Sequence, residues 1–186
     1  PQVQTKTEVQ TVQQGKLNMA YQMPAYFYQA DYYATMVMNA LFGGTPLSLL
    51  FTNVREKASL AYYASSAIDA FRGVITVQTG IESRQKDRVL EIIEAQRQRI
   101  IAGDFEQAVF EQTKLVLINQ FKSSLDSAAY LGQQQFNRLF VPETEIDAER
   151  FTQAILAVSK QAVQEQAAKM QLQAIYFLKG VDTDEA

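Results

Sequence analysis

The spacing of apolar side chains changes along the chain, and this change constrains the fold more than any other feature of the sequence. Between residues 16 and 23 apolar and polar residues alternate, as in a strand with one buried face. Between residues 84 and 103 the apolar residues recur every three or four positions, as in an amphipathic helix. A chain with both periods must cover a sheet with helices, so we expect the α+β class.

The order of the segments makes this expectation more specific. We predict strands at 16–23, 60–71, 73–81 and 172–180, and the middle two should form a hairpin. We predict helices at 30–42, 47–58, 83–103, 104–127, 128–141 and 147–159. Residues 5–12 fit either an edge strand or a linker. This order predicts one mainly antiparallel sheet with helices packed on one face. The other face should be polar enough to meet water or a partner, and would carry Lys16, Asn18, Ser65, Asp69 and Gln78.

Several residues indicate where the helices begin and end. The Gly43-Gly44 pair is typical of a helix C-terminus and should close the first helix. Ser83 is a plausible N-cap and Gly103 a plausible C′ residue of the helix between them. Asp104 should cap the next helix.

The composition excludes several classes of function. The 17 basic and 20 acidic residues give a net charge of -3, so no basic face is expected to bind nucleic acid. Without histidine or cysteine, the chain cannot form Ser-His or Cys-His pairs, His-based zinc sites or disulfides. No apolar run approaches the length of a membrane helix. We expect a cytoplasmic protein without a membrane partner, and the first residue, a proline, suggests that 1–186 is a single domain of a longer protein.

The segment NVREKASLAYYASS, residues 53–66, contains the candidate binding residues. Arg55 falls in the last turn of a predicted helix, where a cation is favourable against the helix dipole without any further role. Its guanidinium is also well suited to donate to a peptide carbonyl or carboxylate. Tyr62 and Tyr63 are adjacent in a predicted strand and should point to opposite faces. Alternation places Tyr63 with the polar Ser65 on the open face, although a bend at the start of the strand would reverse this.

Residues 41–81 resemble the C-terminal domain of zinc metallopeptidases of the insulinase/pitrilysin family, and the form of 53–66 is most similar to Gram-positive bacterial members. The likeness continues through the helical segments 84–140, so it covers most of the chain. It depends on the order of these motifs: Gly43-Gly44, Ser48-x-Leu50-Phe51, Arg55-Glu56-Lys57, Leu60-Ala61-Tyr62 and Gly80-Ile81.

The resemblance implies a fold and a role. Members of this family join two halves of similar fold around a chamber, and the first half carries the zinc on a His-x-x-Glu-His helix. The second half supplies an arginine and, seven residues later, a tyrosine that contact substrate near the scissile bond. Arg55 and Tyr62 have this spacing here, with Tyr63 as the alternative. The resemblance assigns no catalytic or metal residue to this chain, so zinc would belong to the missing half or to a partner.

The sequence is compatible with two functions. The chain is either the non-catalytic half of an insulinase-type peptidase system that helps to form a peptide-binding chamber, or part of a catalytically silent structural or assembly subunit that pairs with an active homologue. The partners implied are the N-terminal half of the same chain, a homologous peptidase subunit and a peptide substrate.

Overall fold

The computed structural model describes residues 2–180, which form a five-stranded sheet covered by helices. The strands are β1 (Gln4–Gln10), β2 (Gly15–Gln22), β3 (Ala61–Asp69), β4 (Val74–Ile81) and β5 (Gln171–Gly180). They lie in the order β1-β5-β2-β4-β3, with β1 parallel to β5 and the other three pairs antiparallel. The α+β class and the mainly antiparallel sheet are therefore confirmed.

Helices occupy most of the remaining chain. The α-helices are α1 (Tyr32–Asn39), α2 (Lys86–Ala102), α3 (Gln107–Ser124), α4 (Ala128–Arg138), α5 (Ala148–Ala157) and α6 (Lys160–Lys169). Two π-helical segments, Ala40–Gly44 and Phe51–Lys57, lie between α1 and β3, and a short 3-10 turn, Ser83–Gln85, precedes α2. None of the helices in this part of the chain is long and apolar enough to cross a membrane.

The alternation in β2 sets the orientation of the sheet. Leu17, Met19 and Tyr21 are buried against the helices, whereas Lys16 and Gln22 are exposed. Full burial of one such apolar side chain contributes roughly 1.5–3 kcal/mol, which is why the register of β2 is well defined. The polar residues predicted for the other face all lie outside the core.

The helical run that begins with α1 ends at Gly44, so the Gly43-Gly44 pair closes it as predicted, although not through a left-handed residue. Both glycines lie inside the π-helical segment Ala40–Gly44, and neither has a positive φ. Gly43 is needed for close packing instead, because a Cβ atom there would lie 2.6 Å from Oγ of Ser66 on β3.

The two predicted N-caps, Ser83 and Asp104, are wrong. Ser83 lies in the 3-10 turn before α2, and its Oγ accepts a hydrogen bond from the backbone N–H of Gly180 at 2.9 Å. Asp104 precedes α3 by three residues and accepts from Nε of Arg99 at 2.9 Å. In each case the side chain bonds to a group distant from the helix start. Gly103, by contrast, ends α2 with φ 72°, as predicted.

Residues 5–12, which fitted either a strand or a linker, include most of the edge strand β1. Every β1 residue except Glu8 is exposed, so the strand has no buried face of its own. The predicted helix at 47–58 is a π-helical segment from Phe51 to Lys57, with Leu50 and Val54 buried and Leu47 exposed.

Candidate functional site

Strand β3 begins with a β-bulge, and this bulge determines where the two tyrosines point. Ala61 pairs with Ile81, and Tyr63 pairs with Gly80, so Tyr62 is the extra residue on the bulged strand. Tyr62 is 64% exposed and Tyr63 is 39% exposed. The simple alternation therefore failed for Tyr62, which does not turn toward the helices. A bulge inserts one residue into the strand and resets the alternation.

The ring of Tyr63 lies over Gly80 on the open face of the sheet. A Cβ atom at position 80 would overlap this ring and would lie 2.6 Å from Nε2 of Gln14. Gly80 thus leaves the space that Tyr63 occupies. A glycine inside a strand often marks a bulge or a close approach, so this signal was available in the sequence.

Tyr62 lines a polar cavity of about 270 Å³ at the start of β3. An ion pair lines the same cavity, in which Nε of Arg84 donates to the carboxylate of Glu82 at 2.8 Å. The full set of lining residues is Ser59, Leu60, Ala61, Tyr62, Glu82, Arg84 and Gln85. A phenol, a carboxylate and a guanidinium offer donors and acceptors of the kind that recognise peptide groups. Sequence reasoning did not identify Glu82 or Arg84 as part of this site.

Arg55 lies at the end of the helix that leads into β3. The helix closes at Ser59, whose φ is 52°, and the N–H of Leu60 donates to the carbonyl of Val54 at 3.1 Å. Arg55 is exposed, and its Cζ lies 4.6 Å from the centre of the Phe51 ring. This cation–π contact holds the guanidinium at the surface.

The structure brings the three predicted residues to one region, but not into one contact. Tyr62 and Tyr63 are neighbours at the start of β3, and Arg55 sits on the preceding helix. The ring beneath the Arg55 guanidinium is that of Phe51, and Arg55 does not line the cavity beside Tyr62. All three side chains face solvent, and none is part of the core.

The described residues bring together no set of side chains of the kind that zinc prefers. The sequence contains no histidine or cysteine. Among residues 2–180, no three acidic side chains converge closely enough to hold a metal ion. The chemistry of the exposed groups is therefore that of hydrogen bonding and ion pairing.

The opposite edge of the sheet also carries polar groups, but these are paired with one another. The hydroxyl of Tyr176 on β5 donates to Oε2 of Glu8 at 2.9 Å, and Nζ of Lys6 lies 2.5 Å from Oε1 of the same carboxylate. The bond from Lys6, followed by that from Tyr176, lowers the pKa of Glu8. The bond to Glu8 raises the pKa of Tyr176.

Comparison with known proteins identifies the family. Residues 1–117 match the family described as the peptidase M16 inactive domain, and this match covers more than half of the chain. The chain belongs to this family. The M16 domain is also 41% identical over 171 residues to the "Probable inactive metalloprotease YmfF" of Bacillus subtilis (strain 168). The predicted resemblance to a metal-free domain of insulinase-type peptidases is confirmed.

Solved structures support the same fold. A conserved protein from Enterococcus faecalis V583 matches with a TM-score of 0.93 and 41% identity, covering 99% of this chain and 43% of that protein. A protease from Helicobacter pylori matches with a TM-score of 0.80 and 21% identity, covering 95% of this chain and 44% of that protein. The second likeness shows the fold alone.

The M16 domain spans less than half the length of these relatives. The Bacillus match covers 92% of this chain but only 40% of the relative. The relatives thus contain a further part of at least comparable length.

Proposed function

We propose that this M16 domain forms one wall of a peptide-binding chamber and contacts an extended peptide through Arg55, Tyr62 and Tyr63. In this proposal the zinc and the residues that cleave the peptide belong to another half of the protein or to a partner subunit. The domain itself binds and orients peptide. It cleaves none, in keeping with the description of the matching family as an inactive domain.

The observation that carries the proposal is the bulge at the start of β3. Without it, one of the two adjacent phenols would point into the core. With it, both rings are exposed on one edge of the sheet, close to the helix end that holds Arg55. Large aromatic side chains are costly to leave in water, and tyrosine and arginine are the residues most enriched in binding sites.

The arrangement suggests how a peptide would be held. The phenol hydroxyls can donate to main-chain carbonyls of an extended segment, and the guanidinium can pair with a carbonyl or a carboxylate. The nearby open face of the sheet is lined by small or polar residues such as Asn18, Ser65 and Gln78, which leaves room for a chain to lie across it.

A silent assembly subunit is the second candidate, and one observation favours it. The Bacillus relative is named a probable inactive metalloprotease. A silent subunit could still present peptide to an active partner, or it could use the same surface only for assembly. Measurement of peptide binding separates these two roles.

The test is fluorescence anisotropy of the 186-residue chain with a fluorescein-labelled, unstructured peptide of mixed sequence. Loss of a hydrogen bond to a charged group costs about 1.5–3 kcal/mol, so Arg55→Ala should weaken peptide affinity by roughly tenfold or more. We expect a similar loss in a variant that combines Tyr62→Ala with Tyr63→Ala. Tyr176→Phe, on β5 and three strands away from β3, is the matched control and should leave affinity unchanged. Absence of peptide binding, or equal affinity in all variants, would favour the assembly role.

A further inference from the structure

A cavity of about 450 Å³ opens at the far end of β3, away from Tyr62 and Tyr63. Six of its seven lining residues are apolar or aromatic, and the seventh is Asp69. They come from the loop before α1, from α1, and from the end of β3 with the turn that follows: Phe27, Tyr32, Met36, Ile68, Asp69, Ala70 and Phe71. A mostly apolar cavity of this size with a single polar group is typical of a binding site.

The aromatic wall of this cavity is held in place by local structure. The rings of Phe27 and Phe71 stack with centres 4.7 Å apart, and the N–H of Phe27 donates to the carbonyl of Ala70 at 3.2 Å. Tyr28 has φ 55°, a left-handed conformation that is rare for a bulky residue. Its ring and that of Tyr32 pack against Phe27, with ring centres 4.6 and 5.2 Å away. Backbone strain of this kind is concentrated at binding sites, and here it shapes the wall of the cavity.

The cavity lies at the free edge of β3, between this strand and α1. None of its lining residues belongs to β4, the strand that pairs with β3 on the other side. Asn39, the last residue of α1, accepts a hydrogen bond from Ser66, so α1 lies against the inner face of β3. Met36 and Tyr32 are one and two turns earlier in α1 and form the inner wall. A segment added to this edge would point alternate side chains toward the cavity.

The free edge of β3 is open to a further strand. In the part of the chain that the structure describes, residues 61–69 make no backbone-to-backbone hydrogen bond beyond the ladder with β4. Edge strands are usually protected by charged side chains or proline, and β3 has neither between Ala61 and Ile68. The other edge strand, β1, carries Lys6 and Glu8. In strand addition, main-chain bonds supply affinity and pockets for alternate side chains supply specificity, and β3 offers both.

We propose that this cavity holds a large apolar side chain of a peptide that lies extended along the free edge of β3. The inference rests on the proposed function, because the same peptide would reach the two tyrosines at the other end of the strand. The distance along the strand from Tyr63 to Asp69 is about 20 Å, at roughly 3.3 Å per residue. The anchoring side chain should therefore lie about six residues along the peptide from the residue that Tyr63 contacts.

The lining favours an aromatic or long aliphatic side chain over a charged one. Its only charged member, Asp69, accepts from the backbone N–H of Arg72 at 3.0 Å, and its other oxygen lies 3.3 Å from Nη1 of the same residue. An ammonium group in the cavity would therefore lose its hydration without an unpaired carboxylate to replace it. An aromatic ring that enters beside Phe27 and Phe71 would instead extend the stacked pair of rings.

The test compares two fluorescein-labelled, unstructured peptides that differ only in having phenylalanine or serine at one position. Fluorescence anisotropy with the 186-residue chain should show roughly tenfold or tighter binding of the phenylalanine peptide, because burial of such a side chain is worth about that factor. Phe71→Ser should remove this advantage and leave the affinity for the serine peptide unchanged. Phe136→Ser is the matched control and should keep the advantage, because Phe136 lies on α4 and is 55% exposed, against 58% for Phe71. Since both rings are exposed, circular dichroism should show an intact fold in each variant.

The outcomes separate this inference from the proposed function. Arg55→Ala should weaken the binding of both peptides by the same factor and keep the advantage of phenylalanine. If the two peptides bind the wild type equally well and both depend on Arg55, the proposed function stands and the inference about the cavity is overturned. If neither peptide binds, both are overturned. A lysine peptide that binds more tightly than the phenylalanine peptide would overturn the apolar class of ligand.

Photo-cross-linking tests the location of the anchoring side chain. A peptide with p-benzoylphenylalanine in place of the phenylalanine should cross-link to residues 27–36 or 68–71, and mass spectrometry of the digested product identifies the site. Cross-links confined to other segments would overturn the proposal, leaving another part of the longer protein to fill the cavity.

Discussion

The two edge strands of the sheet, β1 and β3, are stabilised in different ways. β3 packs its inner face against helices, where Ala64 and Ser66 are buried. β1 has no buried face and depends on its backbone ladder with β5 and on the contacts that Lys6 and Tyr176 make with Glu8.

This difference explains why the candidate site lies at β3. Because packing of its inner face against the helices holds β3 in place, the side chains on its outer face can remain available for a ligand. At the other edge Lys6, Glu8 and Tyr176 are already paired with one another. A sheet edge that binds a peptide must keep donors and acceptors free. Only an edge strand that is held in place by packing, and not by its own polar side chains, can do so.

The largest effect on the packing of β3 against the helices is expected from a substitution at Gly43. In Gly43→Ala the new methyl group would lie 2.6 Å from Oγ and 2.7 Å from the backbone N of Ser66. Forcing these groups apart should lower the free energy of unfolding by about 2–3 kcal/mol, measured by urea denaturation. Gly132→Ala is the control, because that site is open and the better helix propensity of alanine should add about 1 kcal/mol. Equal stability of the Gly43 variant and the wild type would show that close packing at Ser66 does not hold β3 in place.

The two faces of β3 can be compared directly at neighbouring serines. Oγ of Ser66 donates to Oδ1 of Asn39 at 2.7 Å in the interior, whereas Ser65 is exposed on the open face. Ser66→Ala leaves a buried amide oxygen without its donor and should cost about 1–2 kcal/mol in thermal or urea unfolding. Ser65→Ala should change stability by less than about 0.5 kcal/mol. Similar losses in both variants would contradict the assignment of the two faces.

The sequence was sufficient to predict the sheet, but not the local geometry of its edge. The alternation of Leu17, Met19 and Tyr21 is a direct consequence of one-sided burial, so the strand and its inner face follow from it. The bulge at Tyr62 depends on how β3 pairs with Gly80, a residue far along the chain. Contacts between distant residues leave only weak local signals, so the sequence allowed for a bend at the start of β3 but could not decide where Tyr62 points.

The helix boundaries show the same limit. Gly103 was assigned correctly because a left-handed residue after a helix is a local requirement. Ser83 and Asp104 have the chemistry of N-caps, yet they bond to Gly180 and Arg99 instead. A capping side chain can satisfy any nearby donor, and tertiary structure decides which donor is nearby.

A smaller effect is expected at the junction that leads from Arg55 into β3. Ser59 has φ 52°, a left-handed conformation that is unfavourable for residues with a Cβ atom. Ser59→Gly removes this cost but adds freedom to the unfolded chain, so the net gain in unfolding free energy should be about 0.5 kcal/mol. Ser59→Ala keeps the strain and serves as the control. A glycine variant no more stable than the alanine variant would show that the left-handed conformation carries no such cost. An alanine variant less stable than the wild type would show that the Ser59 hydroxyl, which lies 3.5 Å from the carbonyl of Glu56, stabilises the junction.

The smallest effect concerns the paired groups of the β1 edge. Their contacts lower the pKa of Glu8, so the stability they provide is present above the unfolded-state pKa of about 4.3 and is lost as the pH falls through the lower folded-state value. Carboxyl NMR titration should show the pKa of Glu8 rising in Lys6→Gln, which removes the main cause, and rising less in Tyr176→Phe. If neither variant changes the pKa, the pairs do not persist in solution. The polar groups of β1 would then be as free as those of β3, and packing of β3 against the helices could no longer explain why the candidate residues lie at that edge.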